Sequence, residues 1–240
     1  MITIHDVTKK FSDFKAVDHI DLTIPDGEII GFIGPNGAGK TTTIKMMTGI
    51  LDIDEGSIEL NGIDISKHPI EAKKQFGFVS DDPDVFLRLK GIEYLNFMAD
   101  IYGVEGQDRK ERINYLVKEF EMEKALNDKI ISYSHGMRQK IVVMGVLICN
   151  PRIWILDEPM TGLDPKSSYK LKQMMKEHAN KGNTVFFSTH VLEVAEKLCD
   201  KVAIINHGKI LYFGTLEDLK SQYGDNDSLE EIFMKVTSDE

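Results

Sequence analysis

Apolar positions at a two-residue period open the chain. Ile2/Ile4, Ala16-Val17 and Ile20/Leu22/Ile24 predict strands, closed by Pro25-Asp26-Gly27. Ile29-Ile30-Gly31-Phe32-Ile33 is a continuous apolar run of the kind that forms a buried strand, and Thr42 to Met47 follows with helical spacing. Ser57-Ile58-Glu59-Leu60 before Asn61-Gly62 reads as a strand entering a tight turn. Phe76-Gly77-Phe78-Val79 is a further short strand, broken by Ser80-Asp81-Asp82-Pro83. From Gly91 to about Ile148 the spacing becomes helical. One predicted face carries Ile92, Leu95, Phe97-Met98 and Ile101, and a second Ile113, Leu116, Val117 and Phe120. Strand character then returns at Ile153-Trp154-Ile155-Leu156 and at Thr184 to Thr189. Between them, Asp164-Pro165 opens a helix that Gly182-Asn183 closes. Val202 to Phe213, interrupted by His207-Gly208, predicts a hairpin. A helical stretch inserted into an alternating α/β pattern is the main architectural expectation.

A length of 240 residues suffices for a sizeable core in one domain or a domain with a lobe. The formal charge of −10 argues against a dedicated nucleic-acid binder, which usually presents a basic surface, so no direct nucleic-acid partner is expected. Cys149 and Cys199 form no CxxC pair, and neither a disulfide framework nor a zinc site is suggested. The N-terminal residues lack a signal-peptide pattern, and the longest apolar run, Ile141 to Cys149, falls short of the roughly 20 residues needed to span a bilayer. Any membrane role is expected to come through a partner.

Chemistry enters at Gly34-Pro35-Asn36-Gly37-Ala38-Gly39-Lys40-Thr41-Thr42, set between the predicted strand and helix. Strand, glycine-rich turn and helix in that order form the context of a phosphate-binding loop. Its backbone amides converge on phosphate oxygens, and the helix N-terminus adds its positive dipole end. Lys40 would reach the β- and γ-phosphates of a nucleoside triphosphate, and the Thr41 hydroxyl would ligate Mg²⁺. A second centre lies at the end of the Ile153 strand, where Asp157 fits a Mg²⁺-side ligand and Glu158 fits a group that orients or deprotonates water.

Tyr133-Ser134-His135-Gly136-Met137-Arg138-Gln139 precedes an apolar helix and resembles the signature segment of ATP-binding cassettes, the nucleotide-binding subunits of ABC transporters. Against the family pattern Leu-Ser-Gly-Gly-Gln, Ser134 and Gly136 match, whereas Tyr133, His135 and Met137 depart. Thr161-Gly162-Leu163-Asp164 resembles the family's D-loop and Ser188-Thr189-His190 its switch-histidine strand. Phe11 occupies the position of an aromatic residue that stacks on adenine. The resemblance covers essentially the whole chain, with its motifs in order.

The resemblance implies a P-loop NTPase (RecA-like) α/β core with an N-terminal antiparallel β subdomain and an inserted α-helical subdomain. The core spans about 1–82 and 150–240, the helical subdomain about 83–149, and a short C-terminal tail about 215–240. It implies an ATPase using ATP and Mg²⁺, with His190 on the γ-phosphate, Ser134 and Gly136 completing a second subunit's nucleotide site, and Asp164 communicating across the dimer. The second cassette is either identical or related. Implied partners are transmembrane permease subunits, which place the chain in the cytoplasm, peripheral to the inner face of the cell membrane. Val85-Phe86-Leu87 is either permease-contact surface or lobe core, and the tail Leu229 to Phe233 is similar to endings of bacterial exporter cassettes.

Two positions depart in ways that bear on chemistry. The family usually carries glutamine where Ser80-Asp81 stands, and Asp81 is expected to remain on the metal side with shorter reach. His135 replaces glycine and either points away from the phosphate or approaches the opposing one, where its protonation would tune closure. Rival readings are a soluble cassette ATPase acting on DNA or ribosomes, and a small P-loop kinase or unrelated NTPase.

Overall fold

A computed structural model describes residues 1–224 and 227–238. Two sheets organise the chain. In the first, β1 (Ile2–Phe11), β2 (Phe14–Ile24), β4 (Glu55–Leu60) and β5 (Ile63–Asp64) form an antiparallel sheet of order β2-β1-β4-β5. Its apolar alternation buries Ile2, Ile4, Ile20, Leu22 and Ile24 against the core.

The second sheet has the order β10-β9-β3-β8-β7-β6. It contains β3 (Ile29–Ile33), β6 (Phe76–Val79), β7 (Ile153–Leu156), β8 (Thr184–Thr189), β9 (Lys201–Asn206) and β10 (Lys209–Thr215). All neighbours pair in parallel except the β9–β10 hairpin. Every residue of β3, β7 and β8 is buried, which explains why β3 and β7 read as unbroken apolar runs rather than alternations. The C-terminal ends of these parallel strands open at one edge, where ligands of open α/β sheets bind.

Helices α1 (Lys40–Met47), α2 (Pro69–Lys73), α6 (Pro165–Asn180) and α7 (Leu192–Leu198) accompany the sheets, while α8 (Leu216–Tyr223) and α9 (Leu229–Ser238) end the described chain. The predicted tail also includes residues 225–226 and 239–240, which lie outside the described residues. Between β6 and β7 run α3 (Gly91–Ile101), α4 (Gly106–Glu119) and α5 (His135–Cys149). The α4 face of Ile113, Leu116 and Val117 is buried with Phe120, as its spacing predicts.

The predicted α3 face holds in part: Leu95 is buried and Ile92 and Met98 pack against the core, joined by buried Tyr94 and Ala99, whereas Phe97 and Ile101 are 39% and 60% exposed. The cause lies on α5, where Gly145 has no side chain and a Cβ there would stand 2.7 Å from the Tyr94 ring. That vacancy on α5 admits the Tyr94 ring into the core. Phe97 instead meets Phe86 at the surface, with ring centroids 5.3 Å apart. In the preceding loop, Val85 and Leu87 pack on the core while Phe86 stays 47% exposed, so that segment is part core and part surface. Among the described residues, no helix is long and apolar enough to cross a membrane.

Candidate active site

The loop from Gly34 to Gly39 leaves β3 and enters α1 against close neighbours. A Cβ on Gly34 would fall 2.3 Å from the Ile205 carbonyl oxygen, and Gly39, at φ 110°, would meet the Ala16 carbonyl at 2.6 Å. Only glycine fits these two approaches. No side chain caps the start of α1 at Gly39, so its first amides keep their donor capacity for an anion. Lys40 is buried, and its Nζ donates to the carbonyls of Gly34 at 2.7 Å and Pro35 at 3.1 Å. Burial pulls its pKa down, and the charges of Glu158 and Asp157 oppose that pull.

Asp157 and Glu158 follow β7 at the open edge. Asp157 is 1% exposed and its amide donates to the Val79 carbonyl, which extends the β6–β7 pairing by one residue. Its Oδ1 accepts from the Ser188 hydroxyl, while its buried Oδ2 has no hydrogen-bond partner. Burial raises the Asp157 pKa against the Ser188 and Thr41 hydroxyls, with Asp81 and Glu158 adding like charge. A buried carboxylate oxygen without a donor is costly unless a cation meets it. Asp157, with Oδ2 unpartnered and the Thr41 hydroxyl nearby, therefore fits a metal-side role. Among the described residues no group of three or more His, Cys, Asp or Glu side chains could hold a metal by itself.

Glu158 departs from strand geometry at φ 47°, and its amide donates to Ser188 Oγ at 2.9 Å. Its carboxylate Oε1 lies 2.9 Å from Nδ1 of His190, which follows β8. A cleft of about 540 Å³ gathers Phe11, Asn36, Gly37, Gly39, Lys40, Thr41, Thr42, Asp81, Glu158 and His190. Gly34 and Ala38 are buried behind it rather than lining it. Asp81 is exposed at the rim, where its carboxylate accepts from the Ser80 hydroxyl at 3.1 Å.

Ser134, Gly136 and Asp164 do not line that cleft. Ser134 caps α5 by accepting from the Met137 amide at 3.3 Å. Gly136 lies against the D-loop so closely that a Cβ would stand 2.5 Å from the Gly162 carbonyl oxygen, and the His135 ring also packs on Gly162. Asp164 caps α6 through the Ser167 amide at 2.9 Å and pairs with Lys140 at 2.6 Å. Lys140 first, then the Ser167 amide, holds its carboxyl far below the usual range. The start of α5 and the loop before α6 are thus joined within one chain.

Three residues of this neighbourhood escape the sequence reading. Phe14 pairs with Phe11 across the β1–β2 end and lines the cleft, as does Thr161. Ser188 stands inside the motif that contains His190, but only the tertiary structure ties its hydroxyl to Asp157 and Glu158. A second aromatic residue three positions after Phe11 is the signal available for Phe14.

A parallel-stranded core with a glycine loop, an acidic strand end and a histidine on the neighbouring strand defines a P-loop nucleotide hydrolase. The sequence model of the family described as ABC transporter matches residues 17–161. The ABC-type transporter ATP-binding protein EcsA of Bacillus subtilis (strain 168) is 34% identical over 241 residues, covering 100% of this chain and 98% of that protein. The daunorubicin/doxorubicin resistance ATP-binding protein DrrA of Streptomyces peucetius is 33% identical over 220 residues, covering 92% of this chain and 67% of DrrA. A solved ATP-binding subunit of an ABC transporter aligns with TM-score 0.94 at 30% identity, covering 98% of this chain and 99% of that one. A dimeric ATP-binding cassette in a post-hydrolysis state with ADP and Pi aligns with TM-score 0.80 at 25% identity, covering 90% and 99%. The chain belongs to the ABC transporter family, among its ATP-binding, ATP-hydrolysing subunits.

Proposed function

We propose that this subunit powers a transmembrane permease, in the direction of export, by closing on a second cassette around Mg²⁺-ATP. The observation that carries the site reading is the convergence of Lys40, Thr41, Glu158 and His190 in one cleft, with the partnerless Asp157 Oδ2 behind it. The adenine would stack on Phe11, 47% exposed at the cleft edge. The amides from Gly34 to Thr42 would cradle the phosphates, and Lys40 would exchange the Gly34 and Pro35 carbonyls for β- and γ-phosphate oxygens.

Thr41, Asp157 and, from the rim, Asp81 would hold Mg²⁺, which when bound neutralises charge on the phosphoryl oxygens. Glu158 would align water for in-line attack and accept its proton, and His190 would hold the glutamate and contact the γ-phosphate. Ser134 and Gly136, at the start of α5, would present amides and a hydroxyl to the nucleotide of the opposing cassette. Asp164 would act at the dimer interface through its cap on α6 rather than as a free carboxylate. Closure and release then follow gain and loss of γ-phosphate contacts.

Permease docking finds support in the exposed cluster of Phe86, Phe97 and Ile101 on the helical segment. Such docking would hold the chain at the cytoplasmic face of the membrane. Export is supported by the resistance role in the printed name of DrrA and by the exporter-like C-terminal residues. The test is a pull-down of tagged Glu158→Gln from native membranes in mild detergent with ATP. A stoichiometric polytopic membrane protein is the expected product, and recovery of ribosomal or DNA-associated proteins alone would overturn the transporter role. Accumulation of the exported compound in cells lacking the subunit checks the direction.

A further inference from the structure

We infer that Ser188 is a positioning residue for hydrolysis, using one hydroxyl to set both carboxylates at the end of β7. The inference rests on the site reading above and extends it to a residue with no assigned role. Ser188 is fully buried on β8, beside β7 in the parallel sheet. Its Oγ donates to Asp157 Oδ1 and accepts from the Glu158 amide at 2.9 Å. A hydroxyl has one proton and two lone pairs, so it serves both neighbours at once.

Each bond has a separate consequence. Engaging Oδ1 fixes the orientation of the Asp157 carboxylate and leaves the buried Oδ2 as the oxygen without a hydrogen-bond partner. A freely turning carboxylate would present either oxygen, and the geometry for a metal would blur. The bond from the Glu158 amide holds a backbone at φ 47°, a region costly for a residue with a Cβ. That turn takes Glu158 out of strand alternation and puts its carboxylate 2.9 Å from His190 and into the cleft. An apolar residue at 188 would leave a buried carboxylate oxygen and a partly buried amide without partners.

Ser188→Ala removes the hydroxyl with little change of shape, and Ser188→Thr restores it. The experiment measures kcat and KM for ATP, and the affinity of a fluorescent ATP analogue with Mg²⁺ and with EDTA. In Ser188→Ala, kcat is expected to fall about 10-fold or more, the size of a lost hydrogen bond to a charged group. KM and analogue affinity in EDTA should stay near wild type, while the gain in affinity on adding Mg²⁺ shrinks. Ser188→Thr should recover most of both properties. Wild-type kcat and Mg²⁺ response in Ser188→Ala, or equal losses in the Ala and Thr variants, would overturn the inference. Glu158→Gln assayed in parallel separates the two readings. Full turnover in that variant refutes the site assignment itself, whereas an inactive Glu158→Gln beside a normal Ser188→Ala refutes only the role of Ser188.

Discussion

Nδ1 of His190 stands 2.9 Å from Oε1 of Glu158, joining the residue just past β8 to the second residue past β7. The histidine side chain is 58% exposed and the glutamate 20%, so the pair faces the cleft with the imidazole outermost. An imidazole there can hold the carboxylate and still offer its other nitrogen to an incoming phosphate.

Replacing either member should therefore damage hydrolysis more than binding. Glu158→Gln is expected to bind ATP, lose about 100-fold or more in kcat, and accumulate as a dimer on gel filtration with ATP. His190→Ala should lower kcat about 10-fold or more through the freed carboxylate, with ATP affinity little changed. Full turnover in Glu158→Gln would remove it from the mechanism.

Phe11 and Phe14 face each other across the end of β1 and β2, and both line the cleft. Phe11→Ala should weaken ATP binding by about 10-fold, the order of one base-stacking contact. Phe11→Tyr should retain it. Equilibrium binding of ATP against ribose triphosphate, which lacks the base, checks the assignment, because Phe11→Ala should leave the second affinity unchanged.

Asp81 acts on Asp157 by charge but sits exposed at the rim. Solvent screening limits its effect, and Asp81→Ala is expected to raise the Mg²⁺ concentration for half-maximal turnover by about 2- to 5-fold. An unchanged Mg²⁺ titration together with unchanged stimulation by the permease would exclude Asp81 from the metal side.

His178 on α6 is 3% exposed, stacks on Trp154 with centroids 4.0 Å apart, and has no partner for Nε2. Burial lowers its pKa from 6.5 to about 4, against backbone carbonyl bonds that favour the charged form. Because its folded pKa lies below the unfolded one, the unfolded chain alone takes up the proton between these values. Stability is then full above about pH 6.5 and falls as the pH drops toward 4, by on the order of 3 kcal/mol at most. Denaturant titrations across that range should show a smaller loss in His178→Gln than in wild type, and equal pH slopes would refute the linkage.

Strand and helix identity were legible wherever one residue's neighbours along the chain set its environment. The unbroken apolar runs at Ile29 to Ile33 and Ile153 to Leu156 announced strands covered on both sides, and both are wholly buried. Asp164-Pro165 announced the start of α6, where the carboxylate caps the helix. On α3, Ile92, Leu95 and Met98 meet the core as their spacing predicts, but Tyr94 joins them in place of Phe97 and Ile101 because it is accommodated by Gly145, fifty-one positions away on another helix. Helical spacing records which residues share a face, but not which face a partner helix can receive.

The same division runs through the site. The glycine loop, Lys40, Thr41 and the carboxylates that follow β7 are legible along the chain, because strand, turn and strand end are local devices built from adjacent residues. The packed fold sets β8 beside β7, bringing Ser188 to the Asp157 carboxylate and the Glu158 amide, and His190 to the Glu158 carboxylate, from thirty-odd positions along the chain. It also decided that Asp164 would be occupied by Lys140. Hydrogen bonds and ion pairs act over a few ångströms, and residues distant in sequence come within that range only when the sheet and the packed helices fix their register.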